Sequence, residues 1–228
     1  MDIASELVSV IVPTYNRYES LMQAVLSITR QTHPAIEIVV IDDGSTDERY
    51  RHIHDDLKVI CRNTSCSLVL IVLPINLRKI HNTTTHRAPC QGLVRNEGIK
   101  VARGKWIAFL DDDDKWISPN KLTIQLITMK EMGMKFSMTN MAYKDGVHHV
   151  TPPPRIVKRA DAEHGNPIAC STVVIDKDLI IQAGLFRHVV FEDYDCWKRV
   201  LELSDCLYID LVTTFYETTS YKYYVTNT

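Results

Sequence analysis

A run of four aspartates, Asp111, Asp112, Asp113 and Asp114, carries the strongest chemical signal in the sequence. The run directly follows residues 106–110, a short apolar stretch typical of a buried strand. Carboxylates this close repel one another, so the pKa of at least one of them rises unless a cation lies between them. Oxygen ligands suit Mg²⁺ or Mn²⁺, which binds one or two carboxylates together with substrate phosphates. The run therefore predicts a divalent-metal site, with a solvated acidic loop as the weaker alternative.

Two further polar clusters are predicted to lie beside this run. Thr-Tyr-Asn-Arg at 14–17 follows an apolar stretch at 8–13, and Asp-Asp-Gly-Ser-Thr-Asp at 42–47 follows one at 36–41. In open α/β sheets, ligands bind beyond the carboxyl ends of the strands, so three polar clusters at that edge predict a binding site. Taken alone, residues 42–47 are equally well explained as a tight turn and a helix cap.

A second acidic patch, Glu-Asp-Tyr-Asp-Cys-Trp at 192–197, lies far downstream. It begins a predicted helix, where the free backbone amides and the helix dipole favour carboxylates for structural reasons alone. The other interpretation is a general base, because a hydroxyl nucleophile needs a positioned carboxylate to take its proton. The residues by themselves leave both interpretations open.

The elements that must position these clusters follow two different patterns. Residues 8–110 alternate between strand-like and helix-like stretches, which is typical of a parallel sheet covered by helices. The stretches are strands at 8–13, 36–41, 68–73 and 106–110 and helices at 17–32, 47–60 and 92–102. The later part is mixed, with helices at 119–132, 176–183 and 193–203, strands at 136–143, 172–175 and 207–216, and a proline-rich loop at 150–162. We predict one domain over residues 1–228, in which a nucleotide-binding half (1–114) and a mixed half (115–228) share a sheet.

The composition excludes several classes of protein. With 26 Lys and Arg against 28 Asp and Glu, the formal net charge of −2 gives no bulk attraction to nucleic acid or an anionic membrane. No apolar run approaches the roughly 20 residues of a membrane span, and the N-terminus lacks a signal-peptide pattern, so we expect a cytoplasmic protein. The six cysteines form no CxxC pair and are expected to be small buried side chains. Neither GxxxxGK[ST] nor GxGxxG occurs, which argues against a P-loop ATPase and a Rossmann dehydrogenase.

Four stretches that span nearly the whole chain resemble the family 2 glycosyltransferases. They are VSVIVPTYNR at 8–17, IEIVVIDDGSTD at 36–47, RNEGIKVARGKWIAFLDDDDKW at 95–116 and GLFRHVVFEDYDCWKRVLE at 184–202, and they run in the family's order. The resemblance implies an α/β fold of the GT-A type. In that fold a Rossmann-like, mostly parallel sheet is flanked by helices and continues into a mixed, acceptor-side second half.

The resemblance also implies a donor site. The residues implied to line the nucleotide-sugar are Pro13, Thr14, Tyr15, Arg17, Asp43, Arg95, Asp111 and Asp112. Among them, Asp43 would accept a hydrogen bond from a uracil ring, and Arg95 would lie near the base and the phosphates. The family's DxD motif matches residues 111–113, so that Asp111 or Asp112 touches the ribose and Asp113 holds Mn²⁺ or Mg²⁺ on the diphosphate. Four aspartates in a row leave this register open by one residue.

The chemistry implied by the resemblance is an inverting transfer of a sugar from a nucleotide-diphospho-sugar, expected to be a UDP-sugar, to a hydroxyl of a glycan or other acceptor. Asp193 matches the proposed catalytic base of the family's ED motif, and Glu192 and Trp197 are expected on the acceptor side. Many GT-A enzymes present a C-terminal histidine to the metal, whereas no histidine follows His188 in this sequence. The chain ends at Thr228 soon after a predicted strand. One of our expectations is therefore that this chain is one module of a longer protein.

Two other functions remain as alternatives at this point. A sugar nucleotidyltransferase shares the α/β half and the acidic metal ligands, but it usually carries a glycine-rich basic loop where this chain has residues 13–17. A non-catalytic nucleotide- or sugar-binding module would not need Asp193. The sequence identifies neither the sugar nor the acceptor.

Overall fold

The fold is built on one mixed sheet with helices on both faces. The computed structural model describes residues 3–81, 90–144 and 155–217. The strands are β1 (Val8–Thr14), β2 (Ile36–Asp42), β3 (Ser67–Val72), β4 (Trp106–Phe109), β5 (Lys115–Trp116), β6 (Phe136–Tyr143), β7 (Ile156–Val157), β8 (Val174–Asp176) and β9 (Cys206–Tyr216). The helices are α1 (Tyr18–Thr29), α2 (Ile53–Cys61), α3 (Leu77–His81), α4 (Gln91–Val101), α5 (Lys121–Met132), α6 (Lys177–Gln182) and α7 (Glu192–Val200).

The first four strands form a parallel block in the order β3-β2-β1-β4. β1 pairs in parallel with β2 and β4, and β2 pairs in parallel with β3. This confirms the alternating pattern read from residues 8–110. Because all four strands run the same way, the chain segments that leave them lie at one edge of the sheet.

The second half of the chain continues the same sheet with mixed strand directions. β8 pairs antiparallel with both β4 and β6, and β6 runs parallel to β9. The two short strands β5 and β7 both pair antiparallel with β9. A mostly parallel first half and a mixed second half were both predicted, and both are observed.

Each face of the sheet carries its own hydrophobic core. Along β1, Val10 and Val12 enter one core and Ile11 enters the other, as the two-residue period of a strand requires. Helices α1, α2 and α5 cover the first core, and α4, α6 and α7 cover the second. Because both faces of the parallel strands are covered, their sequences are apolar runs, and polar chemistry is confined to the strand ends.

Three expectations from the sequence need correction. The loop expected at 150–162 contains β7 and a 3-10 turn at Arg159–Ala162, while residues 150–154 lie outside the described part. The single helix expected at 47–60 is divided into a 3-10 turn at Glu48–His52 and α2. Two short elements, α3 and β5, were not predicted. Apart from α2, these elements have no more than five residues each and are too short for a periodic pattern. The pairing of β5 and β7 with the distant β9 decides the conformation of these two strands.

Two expectations from the composition can be compared with the structure. All six cysteines are free, and five of them are buried, as predicted. Within the described segments, none of the helices combines the length and the apolar character that a membrane crossing requires.

Candidate active site

One arginine joins the loop after β1 to the acidic run after β4. Nη1 of Arg17 lies 3.0 Å from Oδ1 of Asp112 and 2.5 Å from Oδ2 of Asp113. The two loops leave neighbouring parallel strands, so they reach the same edge of the sheet. The structure thus brings two of the three predicted polar clusters into direct contact.

Asn16 and Tyr50 hold the loop after β1 against the loop after β2. Asn16 has a φ of 52°, a left-handed conformation that asparagine adopts more readily than most residues, and its Oδ1 accepts the backbone N–H of Thr46 at 2.8 Å. The Tyr50 hydroxyl lies 2.7 Å from Oγ1 of Thr14 and accepts the backbone N–H of Arg17 at 3.1 Å. The third cluster therefore joins the other two. Sequence reasoning missed Tyr50, because 33 residues separate it from Arg17.

Pro13, Thr14 and Tyr15 occupy the end of β1. Pro13 and Thr14 are buried within the strand, where they pair with Ile41 and Asp42 of β2. Tyr15 is the first residue outside the strand and is exposed. The ring of Tyr15 is thus the part of this segment that is most accessible to a ligand.

Asp43 is held by the beginning of α3. Its Oδ1 accepts the backbone N–H of Leu77 at 2.8 Å, and its Oδ2 accepts Nδ2 of Asn76 at 2.8 Å. Burial raises the pKa of Asp43, with a further contribution from the charge of Asp42. Gly44 follows with a φ of 70°, and a Cβ there would lie 2.8 Å from the backbone nitrogen of Asn76, so glycine is required. The carboxylate is fixed in place, and each oxygen retains capacity to accept another hydrogen bond.

Asp112 is one of two buried members of the acidic run, the other being Asp114. Burial is the main reason that the pKa of Asp112 rises to about 6, and the charges of Asp113 and Asp111 raise it further. Its Oδ2 is buried and has no hydrogen-bond partner among the described residues. A buried carboxylate oxygen without a partner is costly, so it marks a position where a cation or a donor group would be stabilised.

Asp114 has a structural role that separates it from the other three aspartates. Oγ of Ser171 donates to Oδ2 of Asp114 at 2.6 Å and accepts the backbone N–H of Asp111 at 3.1 Å. Burial raises the pKa of Asp114 well above its ordinary value. Ser171 thereby fixes the turn and turns Asp114 inward, which leaves Asp111, Asp112 and Asp113 toward the cluster. Residues 169–174 were expected from the sequence to line the acceptor pocket, but no motif indicated that Ser171, in the 3-10 turn at Cys170–Thr172, would bind the acidic run.

Asp193 is the second residue of the second acidic patch and is oriented by two hydrogen bonds. Its Oδ2 accepts Nδ2 of Asn166 at 3.0 Å, and its Oδ1 accepts the backbone N–H of Tyr194 at 2.7 Å. Burial and then the charge of Glu192 raise the pKa of Asp193 to about 6. A carboxylate with a raised pKa that is still ionised at neutral pH is suited to general-base chemistry. Asn166 was missed because no motif marks it.

Arg95 lies between the acidic run and the second acidic patch. Its Nη2 is 2.6 Å from Oδ1 of Asp111, and its Nη1 is 3.0 Å from Oε1 of Glu192. The two acidic patches, 81 residues apart in sequence, are therefore connected through one guanidinium group. The structure places Arg95 in the interior, at 3% exposure, and Glu192 is buried against it.

Trp197 corrects one of the sequence expectations. Its side chain is completely buried, and its ring packs 5.5 Å from Phe136, 5.6 Å from Phe186 and 6.0 Å from Phe109. Trp197 is therefore part of the hydrophobic core and does not present a surface to an acceptor. Phe191, the residue before α7, is instead 61% exposed.

The residues at this edge fit a divalent cation by their donor chemistry. Among residues 3–81, 90–144 and 155–217, no three His, Cys, Asp or Glu side chains form a complete metal cluster. Mg²⁺ and Mn²⁺ do not need one, because they bind through one or two carboxylates and substrate phosphates. Asp113, which is half-exposed, and the unpartnered oxygen of Asp112 supply oxygen ligands of that kind.

The fold is of the GT-A type, which the sequence led us to expect. The fold matches Staphylococcus aureus TarS in complex with UDP-GlcNAc, with a TM-score of 0.70 and 21% identity over 97% of this chain. It also matches the mannosyltransferase PcManGT of Pyrobaculum calidifontis in complex with GDP-Man and Mn²⁺, with a TM-score of 0.69 and 16% identity over 98% of this chain. The chain spans 61% of the length of each of these two solved chains.

The chain belongs to glycosyl transferase family 2, whose sequence model matches residues 9–169. It is 32% identical, over 92% of its length and 77% of the relative's, to WfaP of Escherichia coli, a UDP-Glc:alpha-D-GlcNAc-diphosphoundecaprenol beta-1,3-glucosyltransferase. WfgD of Escherichia coli, which has the same activity in its name, is 31% identical over 86% of this chain and 70% of its own. The protein is thus a glycosyltransferase, and the nucleotidyltransferase and binding-module alternatives lose their support.

Proposed function

We propose that the protein transfers a sugar from a UDP-sugar to a hydroxyl group of a carbohydrate acceptor, with inversion at the anomeric carbon. The observation that carries the proposal is the convergence of three polar clusters at one sheet edge, connected through Arg95 to Glu192, the first residue of the helix that also bears Asp193. Such an edge supplies groups for a nucleoside, a diphosphate and a base in one place.

The donor would bind across the ends of β1, β2 and β4. Asp43 is the acceptor for a ring N–H of the nucleobase, because its carboxylate is already held by α3. Arg17 is half-exposed and bonds to Asp112 and Asp113, so its remaining donors are available to the diphosphate. Asp111 or Asp112 would contact the ribose. The proposal therefore includes both aspartates as candidates for this contact.

Asp113, with Asp112 beside it, would hold the Mn²⁺ or Mg²⁺ of the donor complex. When bound, the cation would offset the negative charge on the departing nucleoside diphosphate. The residues of this chain have a separate task, which is to keep the carboxylates together before the donor arrives. Arg17 and Ser171 do this by pairing with the run from two sides.

Asp193 would take the proton from the acceptor hydroxyl as that oxygen attacks the anomeric carbon. Asn166 and the backbone of Tyr194 orient its carboxylate. A single displacement of this kind inverts the anomeric configuration. Because both Escherichia coli relatives are named for UDP-Glc and a GlcNAc-diphosphoundecaprenol, we propose UDP-glucose and a lipid-linked GlcNAc as the first donor and acceptor to test.

The test is a binding and turnover experiment on the purified chain. UDP, UDP-glucose and GDP are titrated with Mn²⁺ and with excess EDTA, and UDP release is measured after the acceptor is added. We expect UDP to bind more tightly with Mn²⁺, and Asp113→Asn to remove that difference while the exposed Asp178→Asn on α6 retains it. If UDP affinity is the same in EDTA, the metal assignment is wrong, and if no uridine nucleotide binds, the donor assignment is wrong.

A further inference from the structure

The guanidinium group of Arg95 connects three separate elements. Arg95 lies on α4, Asp111 follows β4, and Glu192 is the first residue of α7. One terminal nitrogen bonds to Asp111 at 2.6 Å and the other to Glu192 at 3.0 Å. A planar guanidinium presents its donors in a rigid fork and so holds two carboxylates in a fixed relation, whereas a lysine ammonium is a point charge on a flexible stem and imposes no such geometry.

The surroundings leave this guanidinium little room to reach a ligand. The Phe186 ring lies 5.5 Å from the guanidinium carbon, and Nε is buried without a hydrogen-bond partner among the described residues. The packing of α4 against α7 is also close, since a Cβ on Gly92 would lie 2.7 Å from Cγ of Glu192. If Arg95 moved toward solvent, it would leave the buried Glu192 carboxylate uncompensated, which is strongly unfavourable.

We propose that Arg95 and Glu192 are positioning residues that set the base-bearing helix against the donor-binding acidic run. On this view Arg95 does not contact the donor, which differs from the role that the family resemblance implies. Asp111 belongs to the acidic run and Glu192 begins α7, so a guanidinium that bonds to both fixes the run relative to the helix. Asp193 follows Glu192 directly and is positioned with it. This inference rests on the proposed function, because it concerns the distance between donor and base.

The experiment separates binding from turnover in three variants. Arg95→Lys retains the positive charge but loses the rigid fork that fixes the two carboxylates relative to each other, and Glu192→Ala removes one end of the bridge. We expect each to lower kcat by about 10- to 100-fold, the scale of a displacement of about 1 Å in a reacting group. The Kd for UDP should stay within a few-fold of the wild-type value. The double variant should be no slower than the single variants, because both break the same connection.

Two controls make the outcome specific. Arg103→Lys changes the same residue type at the opposite edge of the sheet, where Arg103 pairs with Glu37, and should leave kcat unchanged. Glu192→Gln retains an oxygen that can accept from Arg95 and should recover most of the activity that Glu192→Ala loses. The melting temperature of each variant is measured to establish that the protein is folded at the assay temperature, so that a lower kcat is not caused by unfolding.

Each result has one meaning for the proposal. A UDP affinity that is tenfold weaker in folded Arg95→Lys would show that Arg95 contributes to donor binding and would overturn the inference. Unchanged kcat in Arg95→Lys and Glu192→Ala, or rate losses that multiply in the double variant, would also overturn it. A wild-type chain that binds UDP and transfers no sugar would instead count against the proposed function, and the two failures are therefore distinguishable.

Discussion

Replacing Asp193 with asparagine should abolish most turnover while leaving the fold intact. The change removes the proton acceptor and retains the size of the side chain. General-base catalysis contributes about 10²–10⁴-fold, so we expect kcat to fall by that factor. Because the pKa of Asp193 is about 6, the wild-type kcat at saturating donor should also fall as the pH drops below about 6. The residual rate of Asp193→Asn should lack this acidic limb.

The expected effect of Asp193→Asn on stability is small because two contributions oppose each other. The pKa of Asp193 rises from 3.8 to about 6 on folding, and at about 1.4 kcal/mol per pH unit its ionised form costs at most about 3 kcal/mol at pH 7.5. Asparagine removes that cost. It also weakens the hydrogen bond from Asn166, which is worth about 1.5–3 kcal/mol to a charged acceptor. The melting temperature should therefore change by no more than about 5 °C.

The assay measures UDP release from pH 5 to 8.5 and the melting temperature of the same samples. Asp195→Asn is the matched control, because Asp195 lies on the same helix and pairs with Arg199 away from the site. We expect Asp195→Asn to retain turnover and its pH dependence. Near-normal transfer by folded Asp193→Asn would refute the assignment of this residue as the base.

Three further predictions concern the donor side and the packing behind it. Asp112→Asn should raise the melting temperature of the ligand-free protein more at pH 7.5 than at pH 5, as scanning fluorimetry can measure. The pKa of Asp112 is higher in the folded state, so the stability that protonated Asp112 contributes is lost as pH rises from about 4 to about 6. Asparagine does not ionise and avoids that loss. A gain that does not grow with pH would contradict this. Asp43→Asn should weaken UDP binding by about 1–3 kcal/mol in calorimetry, and an unchanged affinity in the folded variant would reduce this residue to a turn former. Gly92→Ala should lower thermal stability by about 1–3 kcal/mol, because the new Cβ meets Glu192 and Phe186 at under 3 Å, whereas Gly165→Ala has open space and should be neutral; equal melting temperatures would exclude this steric conflict.

The sequence was sufficient for the elements whose signal is local and long. The apolar runs of β1, β2 and β4 are predictable because strands covered on both faces must be continuously hydrophobic. The rule that parallel strands place their carboxyl ends together then locates Arg17 and the acidic run at one edge. No structure is needed for that step.

Contacts between distant segments could not be predicted in the same way. The bridge from Arg95 to Asp111 and Glu192 joins residues that no periodic pattern connects, and it holds the Arg95 side chain in the interior. The aromatic character of Trp197 suits a sugar ring as well as a core, and only the packing of Phe109 and its neighbours selects the core.

The four aspartates show where the boundary lies between the two sources of information. The sequence alone determines that closely spaced carboxylates follow a buried strand, and Coulomb repulsion then requires a counter-charge or protonation. Which aspartate faces the cluster is decided by tertiary hydrogen bonds from Ser171, which binds Asp114 from 57 positions away. The residue types of the site can thus be recognised from short segments of the sequence. Which carboxylate takes which role depends on the hydrogen-bond partners that folding brings to each one.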